Sequence, residues 1–138
     1  MVSQLFVLGG LVFIVMGLVH GLVSVIDVFR PTQFAPVDDA VRLAMKSTNV
    51  RFLQARANMW QAWLGFNLSP SLGMFIFGAV VVGLGLNLDL VKASSAALAM
   101  PAVIGFTYLI LSLRFWFWAP TVAATIATAC FVLAWLLY

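Results

Sequence analysis

The sequence predicts an all-α integral membrane protein that forms a four-helix bundle, in a single transmembrane domain over residues 1–138. Of its residues, 64% are hydrophobic and 8% are charged, and the mean hydropathy is +1.14. Soluble domains are instead roughly 45–50% apolar and about 25% charged. The apolar residues also fall into four runs, each long enough to cross a hydrocarbon core of about 30 Å. The predicted spans are about residues 4–26, 60–86, 93–113 and 115–138.

The first run has no lysine or arginine before it and is too long for the core of a signal peptide, so we predict that it is a retained span. Gly17 and Gly21 lie on one side of it as a small-xxx-small pair. Helices in lipid associate by close packing of small residues. This side is therefore predicted to contact another helix.

The segment between the first two spans is the longest hydrophilic part of the chain. Pro31 and Pro36 keep its beginning from being helical, and Asp38 or Asp39 is then placed to cap a short helix. The apolar side of that helix is expected to lie on the membrane or on the bundle. Residues 47–49 predict a break, from which one continuous helix leads into the second span.

Basic residues predict the orientation. Five of the seven lie in loop 27–59, Arg114 lies between spans three and four, and only Lys92 lies on the other side. The positive-inside rule then makes both of those connections cytoplasmic and both termini external, as in a bacterial inner membrane. The net charge of +3 comes from basic residues that orient the chain in a membrane. Nucleic acid is therefore not a predicted partner. The predicted partners are membrane lipids and other membrane helices.

The second span begins with tryptophans, amides and hydroxyls. Residues from Trp60 through Asn67 and Ser71 to Gly78 recur at alternating steps of three and four, which is typical of a packing seam. Small residues repeat beside that seam. The residues predicted to pack helices together are Gly17, Gly21, Gly65, Ser69 and Gly73.

Tryptophans gather at the predicted cytoplasmic interface, where indole rings commonly anchor membrane helices. The predicted anchors are Trp60, Trp63, Trp116 and Trp118. A pigment, quinone or sterol site would also use such rings.

A depth estimate predicts a polar layer. His20, Asn67, Tyr108 and Thr121 each lie six or seven residues inward from the predicted cytoplasmic edge of a span. At about 1.5 Å per residue this places them about 10 Å below one surface, with Ser71 slightly deeper. Two interpretations stay open: these side chains satisfy one another's hydrogen bonds, or they hold a ligand.

The titratable residues argue against catalysis. The chain has one His, one Cys and four acidic residues, all of them Asp and all in or beside predicted loops. No proton relay, metal site or nucleophile–base pair is predicted within one chain, and no catalytic residue is assigned. A haem held by His20 from two chains is a weaker alternative to a hydrogen-bonded structural histidine. The identity of any cofactor is not predicted.

The run from Met59 to Gly73, with the pattern W-x-x-W-x-G-F-N-x-S-x-x-x-G, resembles a family of small, uncharacterised bacterial four-span membrane proteins. Gly17-Leu-Val-His20 and the Phe-rich corner before Pro120 reinforce the resemblance. Members of that family often carry a histidine where this chain has Pro70, so a metal or haem role does not carry over. The resemblance implies a four-span bundle of unknown activity.

Two hypotheses for the function follow from the sequence. The first is a non-enzymatic accessory or structural subunit, or a self-associating bundle, that packs through its small-residue helix faces. The alternative is a membrane-embedded binder or carrier of a lipid, sterol, quinone or haem at the predicted polar layer.

Overall fold

The computed structural model describes residues 1–51, 56–92 and 94–138. Over these residues 83% of the chain is helical and there are no strands. Four helices, α1, α3, α5 and α6, are long and apolar enough to cross a membrane, and they cover the four predicted spans. The short helix α4 was not predicted. The helices are α1 (Val2–Phe29), α2 (Asp39–Ser47), α3 (Met59–Leu86), α4 (Leu88–Lys92), α5 (Ser95–Phe115) and α6 (Trp118–Leu136).

The chain divides into two compact units. The first consists of Met1–Met16 and Met74–Tyr138, and the second is Gly17–Gly73. The first unit contains the N-terminal half of α1, the C-terminal half of α3, and α4, α5 and α6. The second contains the remaining halves of α1 and α3 with the loop and α2 between them.

Aromatic rings from all four long helices meet in the core of the first unit. Phe13 of α1 packs edge-on against Phe77 of α3 and Tyr108 of α5, with ring centroids 4.8 and 5.2 Å apart. It also stacks against Phe131 of α6 at 6.1 Å. Phe6, Phe13 and Phe131 are completely buried. Such aromatic contacts add to the van der Waals packing that holds helices together in lipid.

Two glycines let α1 and α3 approach closely in the same unit. A Cβ atom added to Gly78 would lie 2.5 Å from the Gly10 carbonyl oxygen, and one added to Gly10 would lie 2.8 Å from the Gly78 carbonyl oxygen. Both neighbours are backbone atoms that no rotamer change moves away. Glycine is therefore required at both positions of this crossing.

In the second unit, the prediction of the short helix is confirmed and the prediction of a continuous helix after residue 49 is wrong. Asp38 caps α2 by accepting a hydrogen bond from the Ala40 amide at 2.8 Å. Residues 48–50 and 57–59 instead pair as extended backbone around an Asn49–Asn58 bridge. Residues 52–55, which the same prediction included, lie outside the described residues.

The start of α3 is set by a capping box that the sequence analysis missed. The Asn58 side-chain oxygen accepts from the Gln61 amide at 2.9 Å, and the Gln61 side-chain oxygen accepts from the Asn58 amide at 3.0 Å. This reciprocal pair satisfies two amides that would otherwise lack partners at the helix start. It explains why α3 begins at Met59 and not ten residues earlier.

The predicted seam of α3 is its buried side. Trp60, Ser71, Met74 and Gly78 are buried and Asn67 is half-buried, and the same spacing continues to the completely buried Val81. Pro70 lies inside this helix without interrupting it. The period of three and four residues was therefore a sound guide to the face of α3 that packs within the chain.

Candidate functional site

His20 and Asn67, two residues of the predicted polar layer, come together in the second unit. The His20 imidazole interacts with both the backbone and the side-chain amide of Asn67. The ring of Phe34, from the loop after α1, lies over the imidazole with the two ring centroids 4.8 Å apart. His20 is thus enclosed by a polar neighbour from α3 and an aromatic neighbour from the loop.

The Asn67 amide continues this network along α3. The Asn67 side-chain nitrogen donates to the Trp63 backbone carbonyl at 2.8 Å. The backbone carbonyl of Asn67 accepts from the Ser71 hydroxyl at 2.7 Å. Ser71 is buried where α3 meets α1, and a Cβ atom added to Gly21 would lie 3.3 Å from the Ser71 Cβ. On α1, the Ser24 hydroxyl donates to the His20 carbonyl at 2.7 Å. Each polar group thus has a partner, as groups in an apolar environment require.

Asp27 is the residue that the sequence analysis missed. It lies at the start of the predicted hydrophilic loop 27–59, yet it is completely buried. Its carboxylate accepts from the amides of Thr32, Gln33 and Phe34 at 2.8, 3.0 and 2.6 Å, and from the Thr32 hydroxyl at 3.3 Å. An Asp in the last turn before Pro31 was the available signal, because loop amides that follow a helix need an acceptor.

Trp63 holds the other side of the same loop. Its indole nitrogen donates to the Phe34 carbonyl at 2.9 Å. Asp27 and Trp63 together fix the backbone of Phe34 from α1 and from α3. This explains why the Phe34 ring lies over His20.

Tyr108 and Thr121, the other residues of the predicted layer, belong to the first unit. The Tyr108 ring contacts Phe13 and lies 6.4 Å from the ring of Trp116. The Thr121 hydroxyl donates to the Phe117 carbonyl at 3.1 Å, and Thr125 and Thr128 bond the carbonyls four residues before them in the same way. A single layer that joins these two residues to His20, Asn67 and Ser71 stays a prediction.

The predicted packing residues separate into two groups. Gly17 is buried and Gly21 contacts Ser71. Gly65, Ser69 and Gly73 are exposed, and a Cβ atom added to either glycine would have no heavy atom within 4 Å apart from its own helix neighbourhood. These three residues make no helix contact within this chain, because they lie on the side of α3 opposite its buried seam, and their packing against a helix of another chain stays a prediction.

The predicted anchors also separate. Trp60 is only 6% exposed, so its ring packs inside the protein. Trp63, Trp116 and Trp118 are exposed. Their placement at a membrane surface stays a prediction.

The described residues form a hydrogen-bonded framework. Within 1–51, 56–92 and 94–138, no three His, Cys, Asp or Glu side chains come close enough to hold a metal ion together. Over the same residues, no buried side-chain nitrogen or oxygen lacks a hydrogen-bond partner. The loop amides, which as a group could bind an external anion, already donate their hydrogen bonds to the Asp27 carboxylate.

No family model matches this chain, and no curated protein or solved structure is significantly similar to it.

Proposed function

We propose that this chain is a non-enzymatic integral membrane protein whose role is to associate with other membrane helices, either as a self-associating bundle or as an accessory subunit. Four apolar helices of 28, 28, 21 and 19 residues support insertion into a membrane. At about 1.5 Å per residue each has the length to cross a hydrocarbon core of about 30 Å. Their orientation, with both termini outside a bacterial inner membrane, is part of the proposal.

The open small-residue face of α3 carries the proposal. Gly65, Ser69 and Gly73 follow one another at four-residue intervals and face away from the seam that contains Trp60 and Ser71. At 3.6 residues per turn the two faces are about half a turn apart. A shallow strip that carries only a serine side chain between two glycines, flanked by the exposed residues Phe66 and Leu72, is the kind of surface that a second helix packs against in lipid.

Gly65 and Gly73 lower the stability of α3, and no contact within the described residues compensates for this loss. In a helix interior, glycine is less favourable than alanine by about 1 kcal/mol. Gly10 and Gly78 offset that cost through close backbone packing, whereas Gly65 and Gly73 have no such contact within this chain. A contact with a helix of another chain would supply the missing compensation.

Replacement of both open glycines tests the proposal. We expect Gly65→Leu with Gly73→Leu to leave the monomer folded, because the added side chains meet open space, and to abolish association in the membrane. Association is measured by single-molecule photobleaching of the full chain in lipid vesicles. The matched control is Ala129→Leu, which adds a similar volume at an exposed position of α6 and should not change the distribution of oligomers.

Two outcomes would oppose the proposal. Identical oligomer distributions for the double variant and the native chain, with no partner lost on native purification, would show that this face of α3 is not an association surface. A stoichiometric haem, quinone or sterol detected by optical spectroscopy and native mass spectrometry, and lost in His20→Leu, would favour the ligand-binding alternative instead.

A further inference from the structure

The helix α2 carries charged and apolar residues on opposite sides, and none of its residues is buried. At 3.6 residues per turn, one side carries Asp39, Arg42, Lys46 and Leu43, and the other carries Ala40, Val41 and Ala44. Val41 is 47% exposed. A short helix with an uncovered apolar side and cations opposite it is typical of segments that lie in a membrane interface.

The loop before α2 keeps this helix close to the ends of two spans. Phe34 is held by Asp27 at the end of α1 and by Trp63 in the first turns of α3. Helix α2 begins five residues later at Asp39. Five extended residues reach at most about 18 Å. If α1 and α3 cross a membrane, α2 therefore stays within reach of the lipid headgroups.

The segment between α1 and α3 carries a net positive charge, which favours binding to a negatively charged surface. The basic residues between α1 and α3 are Arg30, Arg42, Lys46, Arg51 and Arg56, against two acids in the same segment. Asp38 caps α2, and Asp39 pairs with Arg42 at 2.7 Å. Arg30, Lys46, Arg51 and Arg56 are exposed. The segment has an excess of three positive charges, which is complementary to an anionic surface.

We propose that α2 and the cations on either side of it bind the anionic phospholipid headgroups of the membrane in which the chain is inserted. Val41 and Ala44 would enter the headgroup region, while Arg51 and Arg56, which follow the helix, contact phosphates. This proposal rests on the proposed membrane insertion. It adds a lipid specificity that insertion alone does not require.

The test places a fluorescent label on either side of α2. Val41→Cys and Leu43→Cys are made in a Cys130→Ser background, and single copies of the full chain are placed in nanodiscs of phosphatidylcholine with or without phosphatidylglycerol. We expect the label at residue 41 to be shielded from aqueous iodide when phosphatidylglycerol is present, and the label at residue 43 to stay accessible. Because each basic residue strengthens anionic-surface binding roughly fivefold, Arg51→Gln with Arg56→Gln should lower the ratio of shielded to exposed label by roughly 30-fold.

Arg114→Gln is the matched control, since it removes a basic residue from another connection and should leave the shielding unchanged. Equal iodide access at residues 41 and 43 in anionic nanodiscs would overturn the proposal. Shielding that is the same without phosphatidylglycerol would overturn the role of anionic headgroups. A label at Leu11 of α1 that iodide reaches would instead contradict membrane insertion itself.

Discussion

Asp27, in the last turn of α1, gives the following loop a partner for its amides. Three backbone N–H groups and one hydroxyl converge on a carboxylate that is completely buried. Hydrogen bonds to a charged acceptor are roughly twice as strong as those between neutral groups. The Asp27 side chain thus fixes the backbone of residues 32–34, in the loop that contains Pro31 and Pro36. This positions the Phe34 ring over His20.

Replacement of this carboxylate should loosen the loop. Asp27→Asn retains the shape but leaves one acceptor oxygen, and its NH₂ group would face an amide that also donates. We expect a loss of about 2–3 kcal/mol in the free energy of unfolding, with faster proteolysis within residues 30–38. Both are measured on the purified chain in detergent.

Asp38→Asn is the matched control for this experiment. Asp38 is an exposed N-cap, and Asn caps helices about as well as Asp. We expect no change in stability beyond a few tenths of a kcal/mol. Equal losses in the two variants would mean that the Asp27 contacts do not stabilise the loop.

At the scale of the residue, sequence analysis found His20 and Asn67 because polar groups inside apolar runs are costly and conspicuous. It missed Asp27 because an acid beside a loop is ordinary, and only the folded backbone shows that three amides point towards it. It also missed the pair of Asn58 and Gln61, because it predicted that the helix begins directly after the break at residues 47–49.

At the scale of the element, the two sides of α3 differ in their contacts within the chain. One side carries Gly78 against the backbone of α1, and the other carries Gly65 and Gly73 in open space. The repeat of small residues alone does not distinguish these sides. The alternating three-and-four spacing does, because it includes large residues such as Trp60 and Met74 that must be covered.

The two sides of α3 should respond oppositely to alanine. Gly78→Ala places a Cβ atom 2.5 Å from the Gly10 carbonyl oxygen and 2.7 Å from the Ile14 amide nitrogen. Since both are backbone atoms, α1 and α3 must separate, and we expect a loss of about 1–3 kcal/mol in the free energy of unfolding.

Gly83→Ala on the same helix is the comparison, since a Cβ atom there has no heavy atom within 4 Å apart from its helix neighbourhood. It should be neutral or stabilising by up to about 1 kcal/mol, because alanine is the better helix former. Unfolding titrations in mixed detergent micelles measure both variants. A neutral Gly78→Ala would contradict the close crossing of α1 and α3.

At the scale of the whole molecule, composition and run length were enough to predict four long apolar helices, because a chain that is 64% hydrophobic has few other arrangements. The division into two compact units was not predicted. It follows from where the aromatic core lies, since Phe6, Phe13 and Phe131 are drawn together in the first unit, whereas the second unit is held by hydrogen bonds around Asp27, His20 and Asn67.

The orientation of the whole chain is open to a direct measurement. In a Cys130→Ser background, Lys46→Cys and Phe117→Cys should react with an impermeant maleimide only in inverted bacterial membrane vesicles. Leu90→Cys, between α3 and α5, should react only in right-side-out vesicles, because one proposed span separates it from residue 46 and one from residue 117. Reaction of residues 46 and 90 from one side would contradict the four-span topology.

The stacking of Phe13 on Phe131 has a consequence for biogenesis. Phe13 belongs to α1 and Phe131 to α6, which is synthesised more than a hundred residues later, and both rings are completely buried in the folded protein. Until α6 has been synthesised, Phe13 therefore lacks one of its ring partners. The aromatic core of the first unit is complete only once α6 has formed, so a chain truncated before α6 would leave the faces of Phe6 and Phe13 that Phe131 covers without a partner.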